Sequence, residues 1–139
     1  RIFEVVARFG APLILMYSKD PTARTTKEAK TYEDVVATIK SFLKERIALA
    51  ESYRVKEIII DPGMGGFISS IPDYSFEIID RIEEFYDLGK PILVGASRKG
   101  FLGEDRLGGT LAVTLQLRNK VDYLRVHDVY ENVTSAELN

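Results

Sequence analysis

Four short stretches hold the residues able to do chemistry: Tyr17-Ser18-Lys19-Asp20, Asp61-Pro62-Gly63, Ser97-Arg98-Lys99 and Arg125-Val126-His127-Asp128. Asp61 follows Ile58-Ile59-Ile60, so its carboxylate is partly desolvated and suits a bidentate N–H donor such as a guanidinium or a 2-amino-pyrimidinone edge. It equally suits capping its own Pro-Gly turn. Arg98 and Lys99 are adjacent cations; solvation is the ordinary fate of such residues, and an anion is the alternative. Arg125 and His127 stand two apart, which on a strand aims both to one side and at one spot, as anion binding requires. A histidine bonded to backbone in the core is the competing reading. Gly63-Met64-Gly65-Gly66 resembles a phosphate cradle but lacks both the Lys-Ser/Thr of a nucleotide loop and the dinucleotide spacing.

The elements that must position these groups follow from hydrophobic pattern. Ile2, Val5, Val6 and Phe9 share a helical face closed by Gly10. Leu13–Met16 reads as a buried strand. The polar stretch Ser18–Thr26 is a long loop of the kind that often forms a lid or binding surface. Thr31 with Asp34 suggests a capping box for a helix whose stripe runs from Tyr32 through Val36, Ile39, Leu43 and Ala50 to about Tyr53. Ile58–Ile60 is a second strand, and Met64 to Ile71 a Gly-rich loop. Asp73 can cap the next helix, whose stripe Phe76, Ile79, Ile82 and Tyr86 ends at Gly89. Ile92–Gly95 predicts a third strand, Leu107–Asn119 a helix, and Asp122–His127 a last strand. The polar tail from Glu131 to Asn139 can begin a further helix.

The order is helix, then β-α-β-α-β-α-β, the pattern of parallel βα units. In such folds the strands' C-terminal ends converge on one face, which would gather the four stretches. A closed eight-stranded barrel needs about 200 residues or more. The 139 residues therefore predict a single α/β domain that is either an open four-stranded sheet or half a barrel. Net charge is −2 and there is no cysteine, which argues against nucleic acid, a disulfide framework and a thiolate metal site. No apolar run approaches a membrane span. The first residues lack a signal-peptide pattern. The absence of Met at position 1 suggests a fragment or processed piece, and a cytoplasmic protein is the expectation.

The chain resembles dihydropteroate synthase, the pterin-binding barrel family of folate biosynthesis. The resemblance rests on Asp61-Pro62-Gly63 with Phe67 downstream, Gly95-Ala96-Ser97-Arg98-Lys99-Gly100-Phe101-Leu102-Gly103, and Arg125-Val126-His127-Asp128-Val129. It implies that residues 1–139 are a pterin-binding domain fragment, the C-terminal half of a TIM (β/α)8 barrel, strands five to eight. It implies a transferase in which p-aminobenzoate, or a related aryl amine, displaces diphosphate from a dihydropterin methyl diphosphate. Asp61 would hold the pterin edge. Lys99 would contact the pterin ring and line the aryl-amine pocket that Phe67 borders, Gly95, Ser97 and Arg98 would shape the substrate-binding loop, and Arg125 and His127 would bind the leaving diphosphate. Lys99, Arg125 and His127 are thus the catalytic candidates. No metal ligand is expected in this chain: Mg²⁺ would take its ligand from the missing N-terminal half. The fragment alone is expected to be inactive, or to be a non-catalytic pterin-binding half-barrel needing a half supplied elsewhere. Two open edges and an apolar inner face lead us to expect a homodimer or association with that half. Met16-Tyr17 stands where the family usually has Met-His, and Gly100 where a Ser usually follows Ser-Arg-Lys; an archaeal-type relative using another aryl acceptor would fit these changes.

Overall fold

The computed structural model describes residues 1–22 and 24–137; Ala23 of the expected loop and the end of the polar tail, Leu138 and Asn139, lie outside the described residues. The chain order is α1 (Ile2–Phe9), β1 (Leu13–Met16), α2 (Val35–Ser52), β2 (Ile58–Asp61), α3 (Asp73–Asp80), β3 (Leu93–Val94), α4 (Arg106–Leu117), β4 (Tyr123–Leu124) and α5 (Val129–Glu137). Short 3-10 segments, Gly65–Phe67, Ile82–Leu88 and Gly100–Leu102, sit between them. The strands are parallel and follow one another in space: β1 pairs with β2, β3 with β4, and an isolated bridge between Ile60 and Ile92 joins the two pairs. This is the expected α/β arrangement of parallel βα units.

Burial explains the layering. Val36, Ile39, Leu43 and Ala50 of α2 are fully buried, as are Ile60 of β2 and Phe85 between α3 and β3. On β1, Leu15 faces this core while Ile14 and Met16, on the opposite side of the pleat, remain 51% and 37% exposed. The helices thus cover one face of the strands, and the other face is open along β1.

Several expected boundaries move. Asp34 is itself the N-cap of α2, its carboxylate accepting from the Ala37 N–H at 2.9 Å, so the box with Thr31 does not form. Asp73 is the first residue of α3 and makes no cap bond; Pro72 holds the cap position. The single helix expected from Asp73 to Gly89 breaks at Arg81 and continues as a 3-10 segment. The reason is spacing: Ile79, Ile82 and Phe85 recur every third residue and are all buried, whereas Phe76 and Tyr86 are 43% and 50% exposed. A repeat of three suits the tighter helix.

The third and fourth strands are shorter than the expected Ile92–Gly95 and Asp122–His127. The Arg125 N–H still donates to the Val94 carbonyl at 2.9 Å. Beyond that, the His127 N–H donates to the Ser97 hydroxyl at 3.1 Å, so a side chain takes the place of the next ladder acceptor.

Candidate active site

Asp61 is the last residue of β2 and is 8% exposed. Its Oδ1 accepts from the Gly63 N–H at 2.8 Å, so the turn-capping alternative is realised in the fold. Gly63 is required there. Its φ is +77°, and a Cβ would lie 2.6 Å from the Tyr17 carbonyl, a left-handed position with no room for a side chain. The Tyr17 N–H in turn donates to the Asp61 carbonyl at 3.0 Å. The loops after β1 and β2 are therefore in contact.

Phe67 lies in the 3-10 segment of the Gly-rich loop, and its carbonyl accepts from the Lys19 N–H at 2.8 Å. From the loop after β3, the Lys99 ammonium donates to the Met64 carbonyl at 3.2 Å and stands 4.5 Å from the Phe67 ring centroid, a cation–π contact. Burial pushes the Asp61 carboxyl above its ordinary value, against the Gly63 N–H and the charges of Lys99 and Arg125, which pull it down. Burial likewise pushes the Lys99 ammonium below its ordinary value, with Asp61 opposing that shift and Arg125 adding to it. Asp61, Lys99 and Arg125 thus share one electrostatic field at the strand ends.

The loops after β3 and β4 run side by side. Gly95 lies beside Arg125, with a built Cβ 3.8 Å from the Arg125 Cβ. Ser97, 6% exposed, meets His127 twice: its hydroxyl accepts from the His127 N–H at 3.1 Å and lies 3.0 Å from Nδ1. Arg98 points away from Asp61. Its guanidinium makes a two-point ion pair with Asp128, with Nε donating to Oδ2 at 3.0 Å and Nη2 to Oδ1. Asp61, Phe67, Lys99 and Arg125 are therefore brought together by contact or field, Ser97 and His127 form a neighbouring pair, and Arg98 is engaged elsewhere. The exposure of His127 sets aside the core-histidine reading.

The pairing of Arg98 with Asp128 was missed in the sequence. Its signal lies in register: Leu93 pairs with Tyr123 and Val94 with Leu124, and Ser97–His127 and Arg98–Asp128 keep the same separation of 30 residues. Arg106 and Thr110 of α4, which lie between the two matching motifs, were given no role from the sequence. Arg106 donates to the carbonyls of Arg98 at 2.9 Å and Gly103 at 2.6 Å, and the Thr110 hydroxyl accepts from the Arg98 N–H at 3.2 Å.

A family profile described as pterin binding enzyme matches residues 1–127. The chain belongs to this pterin-binding enzyme family. It is 34% identical over 146 aligned positions to dihydropteroate synthase of Clostridium beijerinckii, covering 97% of this chain and 51% of that protein. Among solved structures, dihydropteroate synthase of Thermus thermophilus in complex with 4-aminobenzoate superposes with a TM-score of 0.87 at 31% identity, over 97% of this chain and 55% of that one. The Xanthomonas albilineans dihydropteroate synthase with 7,8-dihydropteroate gives 0.82 at 31% identity, over 96% and 52%. The chain spans about half the length of the relatives it matches. That share fits part of a barrel; it does not bear out the expectation that the part is strands five to eight.

Among the described residues, no group of three or more His, Cys, Asp and Glu side chains could hold a metal ion. No helix among the described residues is long and apolar enough to cross a membrane.

Proposed function

We propose that this chain supplies part of the active site of a dihydropteroate synthase-type transferase, joining an aryl amine such as p-aminobenzoate to a dihydropterin methyl diphosphate. The observation that carries this reading is the buried Asp61 carboxylate at the end of β2, within the field of Lys99 and Arg125. A flat amino-pyrimidinone edge offers two N–H donors to such a carboxylate. Kinship with dihydropteroate synthases, including solved forms holding 4-aminobenzoate and 7,8-dihydropteroate, supports the choice of substrates.

In the reaction the aryl-amine nitrogen attacks the pterin methylene carbon. The new C–N bond forms as the C–O bond to diphosphate breaks, the diphosphate leaves with the bonding electrons, and the amine proton passes to solvent. Asp61 orients the pterin. Lys99 lies against the ring beside Phe67. Arg125 and His127 offer N–H donors to the departing diphosphate, whose growing negative charge they stabilise. If Ser97 donates its hydroxyl proton to Nδ1, the His127 proton resides on Nε2, the nitrogen left to face an anion. The remaining strands of the barrel would cover the open face along β1.

The test uses the full-length protein, assayed for diphosphate release from a dihydropterin diphosphate with and without p-aminobenzoate. Release dependent on the aryl amine is expected. Tight pterin binding with no release under any aryl amine would overturn the transferase reading.

A further inference from the structure

Arg98 is a non-glycine residue at φ +57°, a left-handed conformation that an L-side chain enters only at some energetic cost. Three separate contacts hold it there. Its N–H donates to the Thr110 hydroxyl at 3.2 Å, its carbonyl accepts from Arg106 at 2.9 Å, and its guanidinium is gripped at two points by Asp128. The first two anchors lie on α4 and the third immediately precedes α5. The next residue in the chain is Lys99, whose ammonium reaches the Met64 carbonyl and the Phe67 ring. A strained residue fixed from three directions immediately before a half-buried cation fixes where that cation's stem begins.

We propose that Asp128 is a positioning residue: through its two-point grip on Arg98 it holds the left-handed turn that delivers the Lys99 ammonium to Met64, Phe67 and Asp61. Arg98 then serves the site by shaping the backbone, and its guanidinium is not a ligand for substrate. In kinetic terms this inference rests on the transferase reading above; its structural part does not. A planar guanidinium held by both carboxylate oxygens transmits orientation that a single bond would not. Asp128→Asn keeps the shape of the side chain but loses the charge and one acceptor, so the grip falls to one point. Arg98→Gly loses the grip without straining the fold, because glycine can still enter the left-handed conformation, but it visits many others as readily, so the turn is no longer fixed.

The experiment is acylation of the full-length protein by an amine-reactive ester across a range of pH, with labelling at each lysine read by mass spectrometry. The height of the rate–pH curve follows access, and its midpoint follows the surroundings of the ammonium. In Asp128→Asn and in Arg98→Gly the Lys99 midpoint is expected to rise toward the ordinary lysine value of 10.5 as the ammonium leaves its half-buried post. Asp128→Glu should return it. In the transferase assay the same two variants should raise KM for the dihydropterin substrate about tenfold with kcat within about threefold. Lys99 midpoints in both variants equal to that of the native protein would overturn the proposal. A native protein with no transferase activity would overturn the functional reading and leave the labelling result standing on its own.

Discussion

The Lys99 ammonium, carried by the loop after β3, donates to the Met64 carbonyl in the loop after β2 at 3.2 Å. That link ties the two loops together and sets a cation where Asp61 feels its charge. Lys99→Met keeps the packed stem and removes the charge. Without that attraction the Asp61 carboxyl moves further above its ordinary value, so the acid limb of pterin binding shifts to higher pH. At neutral pH, affinity should fall about tenfold, the scale of a lost cation–π contact and a charge-assisted hydrogen bond. Calorimetric titration with a dihydropterin at a series of pH values checks both.

The same residue has a signature in stability. A half-buried lysine with a depressed folded value leaves the native state binding fewer protons than the unfolded chain between that depressed value and the ordinary 10.5. Stability from this group therefore rises with pH through that window and is lost as pH falls through the folded value. Melting curves of the native protein should show the rise, and Lys99→Met should lack it.

Arg125 follows β4, with its N–H still on the Val94 carbonyl, and its charge reaches both Asp61 and Lys99. Arg125→Ala should weaken diphosphate binding about 10- to 100-fold, with a shallower salt dependence than the native protein shows. Diphosphate inhibition measured at two ionic strengths checks this.

The order of elements, the parallel pairing and the gathering of Asp61, Lys99 and Arg125 were legible in the sequence because unbroken apolar runs such as Ile58–Ile60 mark buried parallel strands, whose ends meet. The hydroxyl of Ser97 replacing a ladder carbonyl for His127 was not legible, because strand patterns count apolar residues and carry no signal for a side chain standing in for backbone. Nor was the break at Arg81, since the triplet Ile79, Ile82, Phe85 also fits an ordinary helical face. The Arg98–Asp128 pair required the β3–β4 register, which pattern alone does not supply.

Tyr17 stands where the resemblance led us to expect His, and it is 4% exposed. Its hydroxyl meets that of Tyr32 at 3.1 Å, and Tyr32 donates to the Ile68 carbonyl at 2.7 Å. This relay joins the end of β1, the approach to α2 and the loop that carries Phe67. Burial and the neighbouring phenol push the Tyr32 hydroxyl above its ordinary value. Tyr17→Phe should destabilise the protein by about 1 kcal/mol, read as a lower midpoint in urea with an unchanged slope.

Asp61 carries the central claim, and its burial works against its own ionisation. A carboxyl whose folded value is raised above 3.8 contributes stability only while protonated and loses it as pH rises through that raised value. Once ionised, the group therefore burdens the fold, as is common for a group retained for function. Asp61→Asn keeps an oxygen for the Gly63 N–H, so its melting temperature at neutral pH should equal or exceed that of the native protein. The most direct measurement is dihydropterin affinity of this variant in the full-length protein by calorimetry. A loss of about 100-fold with the fold intact is predicted, the scale expected when a buried carboxylate no longer receives two N–H donors. Affinity held within about threefold would contradict the account.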